Sequence, residues 1–330
     1  MQLGDCKNDK TAVVIDGYSY IFRSFYSVPS LIAANGLNVN AVFGFFNHIF
    51  GLIAVLKPTF VYIALDSKGI GFRDELYGDY KANRASCPDE LKHQFDIIKN
   101  GIIACGLYPI FKHGTEADDI IASIAKFNKE LGVQSIICSK DKDLMQLVEN
   151  KFTYLYEDKQ KIFIDEDFVF AKFGVAPKYI ADYLALVGDS SDNIPGAKNI
   201  GPKKAAALIA KFGSVEQIYQ NIEEIEQSVK ALLLQSRQSV ELSKQLTSLA
   251  FIDDLVDDLS KANIANLNLD SGMSFFDSLG MQSVKTRFKN LCSNLLLVKQ
   301  SLPDKANGAK SSQLSNPHSS LQDCEQGSLF

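Results

Sequence analysis

Three short runs of β-branched and aromatic residues, TAVVID at 11–16, FVYIALD at 60–66 and VQSIICS at 133–139, each stand near a longer stretch of helical pattern. Strand and helix in alternation predict a mostly parallel α/β sheet of Rossmann-like type, with helices on both faces. Such a sheet has a chemical polarity, because ligands bind in the crevice outside the carboxyl ends of its strands. Two of the three runs end in an acid, Asp16 and Asp66, and the third runs at once into KDKD, with Asp141 and Asp143. Carboxylates therefore fall where this kind of fold holds its ligand.

More acids join them. GTEADDIIASIAKF, at 114–127, crowds Glu116, Asp118 and Asp119 into the start of a buried helix, and the turn-rich GDSSDNIPG at 188–196 adds Asp189 and Asp192. Capping and turn formation account for any one of these taken alone. Converging on one sheet edge, they would hold protons or push the fold apart unless divalent cations neutralised them. Oxygen-only donors select hard ions such as Mg²⁺ or Mn²⁺ over zinc. Two such ions roughly 4 Å apart can activate a water and stabilise a leaving oxygen at phosphorus, which makes phosphodiester hydrolysis the expected reaction. VVIDG also fits the strand of a haloacid-dehalogenase type phosphatase, but Tyr18 stands where the partner acid of that site belongs. The chain has no G-x-x-x-x-G-K-[ST] phosphate loop.

Six scattered cysteines without a C-x-x-C pair, and four dispersed histidines, suggest neither a disulfide framework nor a zinc site, and fit a reducing cytoplasm. The apolar stretch at 41–56 is broken by Asn47 and His48 and reads as a buried helix rather than a membrane span, and the N-terminus has no apolar signal core. The net charge of −5 argues against a polyanionic partner on average, yet Lys198, Lys203, Lys204 and Lys211 stand between Gly196 and Gly213 with no acid among them. That stretch, IPGAKNIGPKKAAALIAKF, has the form of a helix-hairpin-helix centred on Gly201, which presents backbone N–H groups and lysines to phosphates without reading bases. Upstream, FRDELYGDYKANR gathers Arg73, Tyr80, Lys81 and Arg84, residue types that grip phosphate or stack on an unpaired base. From about residue 180 the pattern is helical, and beyond about Ser301 a Ser-, Asn- and Gln-rich segment predicts a disordered tail or linker.

Taken together, VVIDGYSYIFRSF, ALDSKGIGFRDELYGDYKANR, GTEADDIIASIAKF, SKDKDLMQLV and DYLALVGDSSDNIPGAKNIGPKKAA resemble the 5′ nuclease domain at the front of bacterial DNA polymerase I, in the flap endonuclease superfamily. The resemblance covers most of residues 11–290. It implies a PIN-like nuclease core over 8–180 with a helical arch at about 68–93, a helix-hairpin-helix module with C-terminal helices over 181–300, and a tail at 301–330. It further implies that the acids are two-metal ligands: Asp16, Asp66, Glu116 and Asp118 mainly for one ion, and Asp118, Asp141, Asp143 and Asp192 for the other, with Asp119 and Asp189 in the same set. Arg23, Arg73, Lys81 and Arg84 match phosphate-contacting positions and Tyr80 a stacking position, with Lys81 and Arg84 at the scissile phosphate. Gly201, Lys203 and Lys204 would hold duplex DNA, with a K⁺ ion at the hairpin. Asn199 replaces a usual glycine there, and Asn tolerates the left-handed conformation that the turn requires.

The implied activity is structure-selective 5′-3′ exonuclease and flap endonuclease cleavage of DNA flaps, nicks and ends, with RNA–DNA primers as a further substrate, in primer removal and repair. The expected protein is a cytoplasmic monomer, with no membrane partner and with a DNA polymerase in cis or in trans. The chain ends at Phe330 in linker-like sequence, so a separate nuclease and a piece of a longer polymerase both fit, and the chain itself is expected to cleave 5′ ends without extending a primer. The alternative from another class is a non-catalytic binder of branched DNA that keeps the acids without turnover.

Overall fold

A computed structural model describes residues 10–34, 36–67 and 69–301. The tail expected at 301–330 lies, beyond Ser301, outside those residues. Among the described residues, β1 (Thr11–Asp16), β2 (Phe60–Ala64), β3 (Tyr108–Ile110), β4 (Gln134–Cys138), β5 (Thr153–Glu157) and β6 (Ile162–Ile164) form one sheet in the order β3-β2-β1-β4-β5-β6. Every pairing is parallel except that of β5 with β6. The chain winds outward from β1 through β2 to β3, then returns to lay β4 on the other side of β1. The direction of winding thus reverses between β1 and β4, and such a reversal opens a crevice at their carboxyl ends.

Side chains alternate across the strands, so the two faces of the sheet carry separate cores. Val13, Ile15, Val61 and Ile63 pack toward α1 (Gly17–Ser27), α2 (Asn40–Leu56) and, past the short α3 (Phe72–Leu76), α4 (Asp89–Ala104). Ala12, Val14, Tyr62 and Ala64 pack toward α5 (Ala117–Glu130) and, beyond α6 (Glu166–Phe173), α7 (Ile180–Val187) and α8 (Pro202–Phe212). The apolar stretch at 41–56 is α2, whose Phe45, Phe46, Ile49 and Phe50 are fully buried. Among the described residues no helix is long and apolar enough to cross a membrane.

The helices α9 (Val215–Gln220), α10 (Gln227–Gln235) and α11 (Arg237–Thr247) follow the hairpin, with α11 against α7. The last two, α12 (Leu269–Ser278) and α13 (Gln282–Ser301), which the sequence groups with the hairpin, return to α4 and α2 of the sheet lobe. There Phe276 and Phe288 join Phe46 and Phe50, with the Phe50 and Phe288 rings stacked at 5.0 Å.

Two local features set the crevice. Gly17 begins α1 so close to β2 that a Cβ would stand 2.5 Å from Leu65 Cδ2 and 2.8 Å from the Ala64 carbonyl, so a larger residue would push α1 off the strand ends. The segment expected as a helical arch is helical only at α3 and at the start of α4; between them residues 78–84 run through turns. It is held down by the far part of the chain: the Lys81 N–H donates to the Asp192 carbonyl at 3.0 Å, and Asn193 Nδ2 to the Asp79 carbonyl at 2.8 Å.

Candidate active site

The register aligns Asp16 with Ala64 and Ile15 with Cys138, which brings the ends of β1, β2 and β4 to one level. Asp16 caps α1: one carboxylate oxygen accepts the Ser19 N–H at 3.0 Å, and the other accepts Ser139 Oγ at 2.7 Å. Asp66 accepts the Ala117 N–H at 2.6 Å, tying the end of β2 to the start of α5. Glu116 immediately precedes α5, and Asp118 lies in its first turn, where unpaired N–H groups favour negative charge. Asp141 follows β4, and its Oδ1 accepts the Asp143 N–H at 2.9 Å. Asp16, Asp66, Glu116, Asp118 and Asp141 line one open cleft of about 370 Å³, with Lys81, Arg84 and Lys140 among its walls.

Asp143, Asp189 and Asp192 form an adjoining group in which one carboxylate oxygen from each lies within 4.8 Å of the others. Asp141 connects the two groups: its charge raises the proton affinity of both Asp118 and Asp143. Burial is the larger cause in each case, and it pushes Asp16 up to about 6 and Asp143 up to about 7, with Asp118 well above the usual carboxylate range. Asp66 is also raised, chiefly by burial. Burial pulls Asp189 upward too, but hydrogen bonds from Lys142 and Ser191 outweigh it and leave Asp189 lowered. Asp143 Oδ1 is buried and accepts no hydrogen bond from the protein. An orphaned acceptor among carboxylates that cannot all ionise comfortably fits a hard divalent cation, and the all-oxygen donor set is the one such ions prefer.

Lys81 Nζ donates to Glu116 at 2.8 Å, and its backbone has φ 55°, in the left-handed region of the turn. Arg84 directs Nε and Nη2 to Asp192 Oδ1 at 3.0 and 2.6 Å. Both cations thus reach the cleft from the clamped segment.

Other expected site residues are placed elsewhere. Arg73 is 3% exposed and pairs with Asp119 through two hydrogen bonds of 2.7 and 2.9 Å, while also donating to the Leu246 and Ser248 carbonyls. Asp119 additionally accepts the Ala250 N–H at 2.8 Å. With these partners the pair braces α3 to α5 and to the end of α11; neither residue lines the cleft, although Arg73 Nη1 reaches its Glu116 at 3.3 Å. Tyr80 is buried, with its hydroxyl 3.4 Å from Glu116 and Lys81 Nζ 4.7 Å over its ring, so the ring is not open for stacking in this arrangement. Arg23 pairs with Asp158 at the turn between β5 and β6 and does not line the cleft. Gly201 caps α8, and Lys203 and Lys204 stand exposed in its first turn, which carries no acid. Asn199 has φ 63°, the left-handed conformation expected of it.

Several contributors escaped the sequence reading. Ser139 orients Asp16, Lys142 pairs with Asp189, and Lys140, Tyr18 and Phe22 line the cleft. The two lysines stand inside the same KDKD that drew attention for its acids, and Tyr18 and Phe22 follow Asp16 on α1.

A doubly wound sheet with a carboxylate-lined crevice at its switch point, joined to a helical hairpin module, defines a class of α/β hydrolytic cores. Two family models cover this chain consecutively: the N-terminal resolvase-like domain of 5′-3′ exonuclease over residues 11–174, and its C-terminal SAM fold over 175–269. The chain belongs to the 5′-3′ exonuclease family. It is 38% identical over 240 residues to the 5′-3′ exonuclease of Aquifex aeolicus, covering 73% of this chain and 82% of that one. It is 40% identical over 244 residues to DNA polymerase I of Borreliella burgdorferi, covering 73% of this chain but only 27% of the polymerase. Among solved structures, the bacteriophage T5 D15 flap endonuclease, in a pseudo-enzyme-product complex with DNA and metal ions, superposes with a TM-score of 0.59 at 20% identity, covering 86% of this chain and 98% of that one.

Proposed function

We propose that this chain is a divalent-metal-dependent nuclease that hydrolyses DNA phosphodiesters at 5′ ends and flaps by a two-metal mechanism, in primer removal and repair. The observation that carries the reading is the convergence of eight carboxylates at the sheet's switch point, three of them with strongly raised proton affinity and one buried oxygen left unpartnered. The DNA and metal ions bound to the T5 relative support it. Asp16, Asp66, Glu116 and Asp118 would hold one Mg²⁺ or Mn²⁺ ion, and Asp118, Asp141, Asp143 and Asp192 the other, with Asp189 positioning the second group. Ions held there supply charge neutralisation and a more acidic water for attack at phosphorus.

The protein's own part is to position and neutralise. Lys81 and Arg84 now pair with Glu116 and Asp192, and on substrate binding they would turn to the scissile phosphate and balance the charge that builds on it. Ser139 and the Ser19 N–H hold Asp16 in one orientation, so that oxygen need not be reordered during the reaction. The start of α8 offers unpaired N–H groups, exposed Lys203 and Lys204 and no acid, and would grip duplex phosphates away from the cleft, with K⁺ at the hairpin. Asp119 and Arg73 are assigned to bracing rather than to metal or DNA. The chain would act as a monomer beside a DNA polymerase, in cis or in trans.

The test is a 5′-labelled flap and a nicked duplex, with DNA or RNA at the 5′ end, incubated with Mg²⁺ or with EDTA. Cleavage near the junction only with Mg²⁺ is expected. Tight binding with no cleavage under either condition would instead establish the non-catalytic binder.

A further inference from the structure

Asp189 and Asp192 reach the site from a loop rather than from a strand end, so the sheet alone does not fix where they stand. The loop is closed at its base. Asp189 and Ile194 exchange both backbone hydrogen bonds, at 2.9 and 2.7 Å, and the Ala197 N–H donates to the Leu186 carbonyl of α7 at 2.8 Å. Between them Gly196, at φ 65°, returns so close to the end of α7 that a Cβ would stand 2.4 Å from the Gly188 nitrogen. Through Asp192 and Asn193 the same loop clamps the turn segment that carries Lys81 and Arg84.

Its remaining anchor comes from α11. Ser236, immediately before that helix, and Ser239 and Ser243 within it are three and four residues apart and share one helix face. Ser243 Oγ accepts the Gly196 N–H at 3.0 Å, Ser239 Oγ donates to the Gly196 carbonyl at 2.9 Å, and Ser236 Oγ accepts the Lys198 N–H at 3.1 Å. Both backbone polar groups of Gly196 are thus held by side chains of α11. Ser243 is fully buried, where a hydroxyl is costly unless it is paired, and its partner is the loop that carries the acids. Asp16, Asp66, Glu116 and Asp118 are fixed instead by the sheet and by α5.

We propose that Ser243, supported by Ser239 and Ser236, is a positioning residue for the second metal group: it sets the loop at 188–196, and through it Asp189 and Asp192, without touching metal or substrate. This assignment rests on the two-metal reading and extends it to a helix outside the cleft. Without the Ser243 hydroxyl the Gly196 N–H loses its acceptor, and the loop must shift to satisfy it. That shift displaces donors of one ion and leaves those of the other in place.

Mn²⁺ is titrated into the full chain without DNA, with the free ion followed by EPR, so that no cleavage enters the measurement. The wild type should bind two ions. Ser243→Ala should weaken one of them roughly tenfold and leave the other within about twofold. In flap cleavage, the Mg²⁺ concentration giving half-maximal rate should rise roughly tenfold, while kcat at saturating Mg²⁺ stays within about twofold of wild type. Ser239 is only half-buried, so Ser239→Ala spares the core and should weaken the same ion roughly threefold, which decides the question even if Ser243→Ala does not fold. Equal weakening of both ions would mean general loosening, and wild-type affinities in Ser239→Ala would mean that the serines position nothing. Either result overturns the assignment and leaves the nuclease reading standing. A wild type that binds fewer than two ions overturns the two-metal reading and the assignment with it.

Discussion

Asp16→Asn should stabilise the metal-free protein at alkaline pH while destroying its activity. Burial lifts Asp16 from 3.8 to about 6, so keeping it ionised in the folded state costs about 3 kcal/mol at pH 8. Asparagine removes the charge and keeps the oxygen that accepts the Ser19 N–H, but it turns an amide toward Ser139 Oγ, which already accepts the Asp141 N–H. Losing that acceptor costs about 1 kcal/mol, so the net gain is about 2 kcal/mol, or about 5 °C in melting temperature. The sign follows from linkage. The folded state binds this proton more tightly than the unfolded one, so stability falls as pH rises from about 4 to about 6, and the penalty is complete above that window. The advantage of Asp16→Asn should therefore shrink as pH falls through 6 and vanish near 4. Thermal unfolding by circular dichroism in EDTA at pH 8, 6 and 4 measures it, and added Mg²⁺ should stabilise the wild type more than the variant. A variant less stable than wild type at pH 8 in EDTA, or a gain that does not change with pH, would refute the account of Asp16 as a strained, cation-seeking carboxylate.

Asp141→Ala should slow single-turnover flap cleavage at least a hundredfold while leaving DNA affinity within a few fold; cleavage at the wild-type rate with saturating enzyme would remove Asp141 from the metal set. Lys81→Ala should lower kcat with little effect on Kd, whereas Lys203→Ala with Lys204→Ala should weaken duplex binding and reduce its log–log salt slope by roughly two, as two phosphate contacts are lost. An unchanged slope, read by anisotropy across a salt series, would detach the hairpin from the DNA. Arg73→Ala leaves Asp119 buried without its partner and should cost about 3–5 kcal/mol of stability, seen in urea denaturation; a variant of wild-type stability that had lost DNA affinity would restore Arg73 to the interface.

Much of the fold was legible because its central strands are long enough to show their composition. β1, β2 and β4 each carry five or six residues of strand pattern, and the acids at or just past their ends, Asp16, Asp66 and Asp141, mark the position of the crevice. The hairpin was equally readable, since small residues, a proline at the helix start and lysines without acids announce it locally. β3 and β6, with three residues each, and β5 escaped notice. Edge strands as short as β3 and β6 are decided by a neighbour's unpaired backbone groups rather than by their own residues.

What the sequence determined alone was the inventory: a parallel sheet, a helical hairpin module and a set of carboxylates destined for one edge. Which carboxylates meet there was decided by the tertiary structure. Asp118 and Asp119 are adjacent, and chemically the same, yet successive residues on a helix point about 100° apart. Asp118 therefore lines the cleft while Asp119 turns to Arg73 and to the Ala250 N–H, 131 positions further along the chain. The rotational setting of α5 on the sheet selects between them, and that setting comes from packing against β1, β2 and β4, partners that no local window of sequence contains.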